Sequence, residues 1–254
     1  MTILVLGGVT PAAAGGGGGL NAGTLWTWGS NANGELGHGG TTAVSSPVQV
    51  GGDTNWQQVA VGQYNTMSVK SDGTLWAVGK GTNGQLGLSN TDPFSSPVQV
   101  GGLSNWSLVD TEQFHTAAID TDGKLFTWGD GANGQGGRGD EVDVSSPVQV
   151  GGETDWATVS CGSLHMAAIT TDGRLFTWGG NAKGQLGHGG TTPVSSPVQV
   201  GGDTDWANVM VASSTYAHTL AVKTDGKLFS WGDGYAGATG HNNTTDYSSL
   251  ACPH

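Results

Sequence analysis

Charge is scarce in this 254-residue chain: 11% of residues are charged, with 8 Lys and Arg against 20 Asp and Glu. The formal net charge of −12 repels phosphate backbones. With no basic stripe to release counterions, no nucleic-acid partner is expected. Cysteine is nearly missing, and Cys161 and Cys252 have neither zinc-ligand spacing nor the numbers for a disulfide framework. No apolar run approaches the roughly 20 residues of a membrane-spanning helix, so no membrane span is expected. Helical periodicity is rare. A Gly-x-Ser-x-Gly elbow, a phosphate loop and paired Cys motifs are all lacking, so no cofactor, no metal and no catalysis are expected. The acidity reads as solubility in a salty or extracellular setting.

What is present is glycine, tryptophan and repetition. There are 47 Gly and 10 Trp. The octapeptide Ser-Ser-Pro-Val-Gln-Val-Gly-Gly starts at Ser45, Ser95, Ser145 and Ser195, a period of 50 residues that marks a repeat architecture. A second phrase, Asp-Gly-x-Leu-aromatic-x-Trp-Gly, occupies Asp122–Gly129, Asp172–Gly179 and Asp225–Gly232. Asp72–Gly79 carries Val78 in place of the Trp, and Gly23–Gly29 is an earlier copy without the Asp. One repeat parses into a short strand Val148–Val150 after a proline stop, a half-buried strand Trp156–Ser160, and a third strand His165–Thr170. Asp172-Gly173 then supplies hairpin chemistry before a fourth strand, Leu175–Trp178. Four short antiparallel strands in about 50 residues predict a propeller blade.

The phrase Trp-x-x-Val-x-x-Gly-x-x-His-x-x-x-Ile-x-x-Asp-Gly-x-Leu-Phe-x-Trp-Gly, complete at Trp156–Gly179, resembles the repeat of the regulator of chromosome condensation family. Asn83–Gly87 (Asn-Gly-Gln-Leu-Gly) belongs to the same pattern. The resemblance covers roughly residues 23 to 249 and implies a β-propeller. The expected fold is therefore all-β, built of four-stranded blades: four full repeats plus a fifth half repeat, in a small closed ring or an open arc. Seven blades, the family's usual ring, cannot be built from it. Residues 1–22 are read as an N-terminal strand and Gly-rich tether and 23–254 as the repeat domain. A strand at Thr2–Leu6 could complete the closing blade. No secretory signal is read at the start, which lacks a basic region and a long apolar core.

Most His recur at equivalent repeat positions: His38, His188 and His241 in a long loop, His115 and His165 before the third strand, and His218 after a shift. Asn65 replaces the His in one copy, and Asn does no acid–base work, so these side chains read as hydrogen-bonding struts. Asp140, Glu141 and Asp143 form the one acidic cluster, a weak calcium candidate more simply read as a solvated loop. Arg138-Gly139-Asp140 spells an integrin-type tripeptide that arises easily by chance. Tyr235 and Tyr247 flag an aromatic, Asn-rich loop fit for glycan contact. The apolar run Thr2, Ile3, Leu4, Val5 and Leu6 is the candidate anchor.

A constant scaffold with variation confined to Leu88–Phe94, Gly136–Asp143 and Met210–Ala217 suits a binding or assembly module. Repeats this regular are similar to those of tailed-bacteriophage virion proteins. That resemblance implies a structural component on capsid or tail, partnered by other virion proteins, by copies of itself, or by a host-surface glycan or protein. The alternative is a bacterial surface or secreted recognition module. A protein-inhibitor propeller is a third reading.

Overall fold

The computed structural model describes residues 3–7, 23–212 and 216–251. Thr2, the glycine run Gly15–Gly19 and Cys252 lie outside the described residues. The described chain is all-β, apart from a single 3-10 turn at Tyr235–Gly237. It forms one three-stranded and four four-stranded antiparallel-type sheets. The first holds β1 (Ile3–Gly7), β2 (Thr24–Gly29) and β3 (Val44–Gln49). The second holds β4 (Trp56–Val61), β5 (Asn65–Lys70), β6 (Leu75–Gly79) and β7 (Phe94–Gln99). The third holds β8 (Trp106–Thr111), β9 (His115–Asp120), β10 (Leu125–Gly129) and β11 (Val144–Gln149). β12 (Trp156–Cys161), β13 (His165–Thr170), β14 (Leu175–Gly179) and β15 (Val194–Gln199) follow. The fifth holds β16 (Trp206–Val211), β17 (His218–Lys223), β18 (Leu228–Gly232) and β19 (Tyr247–Ala251).

Strand order within each sheet follows the chain, and the four-stranded sheets are built of hairpins and returning loops. The hairpin between β13 and β14 shows why. Gly173 takes a φ of 82°, which its neighbours in sequence could not adopt without strain, and its N–H closes the turn on Thr170 O at 2.9 Å. The Asp172 carboxylate ties the turn down. Hydrogen bonds from Thr170 and then Arg174 hold its pKa below the usual carboxylate value.

The blade is phased differently from the sequence parse. Each four-stranded sheet runs from a Trp-led strand to the following Ser-Ser strand, so Val194–Gln199 is the fourth strand of the sheet that Trp156 opens. Proline is also no stop. Pro197 lies inside β15, an outermost strand, where its missing N–H deprives no neighbour. It sits in a bulge: Thr177 pairs with Val198 and Gly179 with Val194, leaving Ser195, Ser196 and Pro197 opposite Trp178 alone. A second bulge between Trp156 and Thr158 resets the alternation, so that Trp156, Val159 and Cys161 all point inward.

In the first sheet, β1 pairs antiparallel with β2, Ile3 opposite Trp28 and Gly7 opposite Thr24. It holds the place beside the Leu-x-x-Trp-Gly strand that β5, β13 and β17 hold elsewhere.

The chain divides into two compact units. One comprises Met1–Asp122, Trp128–Asp130 and Asp143–Val148; the other comprises Gly123–Thr127, Gly131–Val142 and Gln149–His254. In the first, Leu25, Val50 and Trp56 form a buried cluster with Val59 and Trp76 against it. In the second, Ile169, Leu175, Val200, Trp206, Val209 and Trp231 carry the core. Repeat-equivalent residues thus fill equivalent places.

Candidate binding face

Successive repeats are joined by one recurring latch. The loops after β2, β6, β10 and β14 each reach the last strand of the next sheet. The N–H groups of Gly39, Ser89, Gly139 and Gly189 donate to the carbonyls of Ser95, Ser145, Ser195 and Ser248, each at 2.7 Å. The contact is too close for a side chain. A Cβ on Gly34, Gly84, Gly134 or Gly184 would stand 2.7, 2.7, 2.8 or 2.5 Å from the facing Ser Cα.

Indoles seal the same seam. Trp128, Trp178 and Trp231 donate their ring N–H to the carbonyls of Gln85, Gln135 and Gln185 at 2.9, 2.9 and 2.8 Å. The octapeptide and the Asn-Gly-Gln-Leu-Gly loop are therefore two halves of one joint. That joint accounts for their constancy.

The histidines belong to the scaffold as well. His38, His188 and His241 place Nε2 against the hydroxyls of Thr27, Thr177 and Ser230 at 2.8, 2.9 and 2.9 Å. His165 Nε2 lies 3.0 Å from Thr219 Oγ1, and Asn65 donates to Thr111 Oγ1. His115 departs from the strut reading: it is buried and neither ring nitrogen has a hydrogen-bond partner. Burial lowers its pKa from 6.5 to about 4, so it is neutral at physiological pH.

Cations are similarly committed. Lys70 Nζ lies 4.5 and 3.9 Å from the rings of Trp56 and Trp76 while pairing with Asp53 at 2.7 Å. Lys223 caps Trp206 and Phe229 in the same way and pairs with Asp203 at 2.7 Å.

Against this constant frame, one set of positions varies. The residue after the first strand of each hairpin, just before the Asn or His, is Tyr64, Phe114 or Leu164. Its carbonyl accepts in every case from the residue past the next Gly: Lys80 N, Asp130 N and Gly180 N at 2.8, 2.9 and 2.8 Å. Gly79, Gly129 and Gly179 are required there, since a Cβ would come within 2.4, 2.3 and 2.5 Å of that carbonyl oxygen. Backbone is thus fixed while the side chains differ.

In the first unit, Lys80 Nζ lies 5.0 Å from the Tyr64 ring and 5.8 Å from that of Phe114. In the second, Leu164 is 42% exposed, Tyr216 42% and Tyr235 57%. The rings of Tyr216 and Tyr235 stack at 4.4 Å with planes 6° apart. Tyr216 falls in the varied loop Met210–Ala217, whereas Leu164, Tyr64 and Phe114 were not singled out from the sequence. Their signal was available as apolar variation at one fixed repeat position.

The sequence-flagged residues fall in separate places. Tyr235 joins the exposed stack. Tyr247 turns inward: its ring is 4.4 Å from that of His241, its hydroxyl accepts from Asn243 at 2.9 Å, and it packs on the core. Asp140 lies 3.5 Å from Arg138 and accepts from Val142 N at 3.3 Å, while Glu141 and Asp143 are exposed. No group of three or more His, Cys, Asp or Glu that could hold a metal occurs among the described residues. Ile3, Leu4, Val5 and Leu6 are in β1, paired with β2, and Thr2 lies outside the described residues. No helix among the described residues is long and apolar enough to cross a membrane.

Short antiparallel sheets repeated every 50 residues and latched loop to strand define an all-β repeat protein of the propeller-blade class. Residues 22–69, 72–119, 122–169 and 172–222 match the regulator of chromosome condensation (RCC1) repeat, and residues 156–185 and 211–238 match a second RCC1 repeat model. The chain belongs to the RCC1 repeat family. Its fold is similar to that of human WBSCR16, with a TM-score of 0.79 and 24% identity over 92% of this chain and 63% of that one. Yeast RCC1 (Prp20), crystallised bound to Kap60, gives a TM-score of 0.80 and 22% identity over 91% of this chain and 57% of that one. Prp20p of Saccharomyces cerevisiae, described with its binding to Gsp1p and histones, gives 0.80 and 23% over 91% and 59%. The chain thus spans about three-fifths of the length of these structures. No curated protein is significantly similar to it in sequence.

Proposed function

We propose that the chain is a non-enzymatic binding and assembly protein, a component of a tailed-bacteriophage virion on capsid or tail. The observation that carries the binding role is one repeat position that varies on an unvarying backbone, Tyr64 and Phe114 in the first unit and Leu164 in the second. Fixed presentation with variable apolar side chains is how a rigid scaffold gains specificity without new architecture. The titratable groups that catalysis would need include half-buried struts and turn ties, such as His188 and Asp172. Protein ligands suit such side chains, and yeast Prp20, which is similar in fold, binds a protein, Kap60. The virion setting rests on the near-verbatim regularity of the repeats, with residues 1–22 as the anchor.

Stoichiometric presence in purified virions, lost on deletion of residues 1–19, is the expected result. Absence from virions overturns the setting, and unchanged incorporation of the deletion overturns the anchor. A bacterial surface or secreted recognition module is the second reading, favoured by the exposed Tyr216–Tyr235 stack, a platform on which a sugar ring can lie. Glycan-array binding abolished by Tyr235→Ala would select it.

A further inference from the structure

The latch is built on an Asn-Gly pair in three of its four copies. Asn33-Gly34, Asn83-Gly84 and Asn133-Gly134 occupy one loop position, and Lys183-Gly184 holds it in the fourth. Asn-Gly is open to self-modification, because a glycine has no Cβ to shield the Asn side-chain carbonyl from its own nitrogen. The Asn side chain is not what shapes the loop. Lys183 N meets Gln185 Oε1 at 2.9 Å just as Asn83 N meets Gln85 Oε1 at 2.9 Å, and Gly84 and Gly184 share a φ of 76°.

In the closed latch the glycine nitrogen is occupied. Gly34 N–H donates to Asn31 O at 3.1 Å, Gly84 N–H to Gly81 O at 2.7 Å and Gly134 N–H to Gly131 O at 2.8 Å. Reaction therefore waits on local opening, and its rate follows the fraction of time the loop is undone.

The three loops are not tied equally. Asn31 clamps the first with three side-chain bonds, from Leu36 N at 2.9 Å and to Gly40 O and Thr42 O at 3.0 Å. Thr27 Oγ1 adds a bond to Leu36 O at 2.7 Å. In the third loop Thr127 Oγ1 donates to Gly136 O at 2.6 Å, and Arg138 spans Thr127 Oγ1 and Val142 O. The second loop has Gly81 in the place of the Asn31 clamp, Ala77 in the place of the hydroxyl and Leu88 in the place of His38 or Arg138. None of these three side chains can make the corresponding bond. Gln85 ties this loop instead, through Asn83 N and, at 3.3 Å, Gln113 O, together with Ser89 N–H on Ser145 O.

We propose that Asn83 is a self-modification site, deamidated first among the three, and that its conversion undoes the joint to Ser145. Gly84 N attacks Asn83 Cγ, a five-membered imide forms, and the Cγ–Nδ2 bond breaks to release ammonia, which carries off the proton of Gly84 N. Water then opens the ring at either carbonyl and leaves aspartate or isoaspartate. Isoaspartate adds one carbon to the main chain. Gly84 has no slack to absorb it, since even its Cβ position lies 2.7 Å from Ser145 Cα. Asn83, Gly84 and Ser145 all belong to the first compact unit. The inference concerns the purified chain and does not depend on what the chain binds.

The test is peptide mass mapping of aged protein at mildly alkaline pH, with fragmentation that separates isoaspartate from aspartate. Each folded rate is read against the rate of the same site in urea. Asn83 should lead in the folded protein, with Asn33 slower by about tenfold or more, since opening its loop also breaks the Asn31 bonds. A lead by Asn33 or Asn133, equal folded rates, or a folded Asn83 that never converts overturns the proposal. Ala77→Thr with Leu88→His installs the tie of the neighbouring loops and should slow Asn83 by about tenfold. An unchanged rate would show that the missing ties are not what exposes it. Asn83→Lys, the residue that repeat four carries, should keep its urea midpoint on ageing, while that of wild type falls in step with isoaspartate at position 83. Midpoints that fall together would overturn the link between conversion and the joint.

Discussion

Thr177 Oγ1 donates to the carbonyl of Leu186 at 2.7 Å and lies 2.9 Å from Nε2 of His188. A hydroxyl has one proton, so the imidazole must be the donor and carry its hydrogen on Nε2. The same relation holds at Thr27 with His38 and at Ser230 with His241. At Thr127 the donor is Arg138, at 3.1 Å, a side chain that can only donate. Where the loop residue is Leu88, with no donor, the strand residue is Ala77, with no hydroxyl. The pair therefore changes as a unit.

A double-mutant cycle follows from that unit. Thr177→Ala alone is expected to lower stability by about 1 kcal/mol, because it strands the half-buried His188 imidazole, and His188→Leu alone by a similar amount, because it takes one partner from the buried Thr177 hydroxyl. Together they reproduce the Ala77–Leu88 pair, so the double variant should recover a coupling energy of about 0.5–1.5 kcal/mol. Urea unfolding of the four proteins measures it; strict additivity would show the pair to be incidental.

The latch glycines give a matched comparison. Gly134 and Gly237 have φ of 76° and 77°, so alanine costs each about 1–2 kcal/mol of backbone strain. Only Gly134 has a neighbour to strike, Ser195 Cα at 2.8 Å from the new Cβ. Gly134→Ala should therefore be worse than Gly237→Ala by a further ~1–3 kcal/mol. Equal midpoints in urea, measured on dilute protein, would mean that the latch yields freely.

The repeat, the hairpins and the aromatic core were legible in the sequence because they rest on local chemistry: Asp172-Gly173 turns wherever it stands, and Trp every 50 residues marks a core. What local chemistry does not encode was missed. Pro147 reads as a strand breaker until its strand is known to be outermost. The joint between Gly34 and Ser95 links two residues that each look like ordinary turn material. Tyr216 and Tyr235 stack across 19 positions of sequence, and no periodicity announces it. Tyr247 looks like a surface aromatic, yet it lies against the core because His241 of its own loop faces it.

His115 makes stability pH-dependent. Its pKa is about 4 folded against 6.5 unfolded, because burial penalises the imidazolium. Between those values the unfolded chain binds the extra proton. Stabilisation is therefore full above about pH 6.5 and is lost as pH falls toward 4, by on the order of 3 kcal/mol. His115→Asn installs the residue that Asn65 supplies in the preceding repeat and removes the titration. Its melting temperature should fall less than that of wild type over that window. Parallel profiles for the two proteins would assign the acid sensitivity elsewhere.

Val78 tests how tightly the seam is packed. Trp128, Trp178 and Trp231 occupy its position in other repeats, each donating to a loop carbonyl, and the corresponding carbonyl here, Glu35 O, accepts from Thr66 Oγ1 at 2.9 Å. An indole at position 78 would gain that acceptor, a hydrogen bond of about 1 kcal/mol. The space is against it: the cavity among Leu25, Leu36, Val50, Trp56, Trp76 and Val78 is about 10 Å³, room for one water at most. Overpacking should dominate, so Val78→Trp alone is expected to destabilise by about 1–3 kcal/mol net. Trp76 stands where Phe126, Phe176 and Phe229 stand in later repeats and where Trp26 stands in the first. Trp76→Phe combined with Val78→Trp restores the Leu-Phe-x-Trp pattern and should recover most of the loss. If Val78→Trp alone raises the urea midpoint, the neighbours relax more readily than the packing implies, and Trp76 is not what displaced the indole.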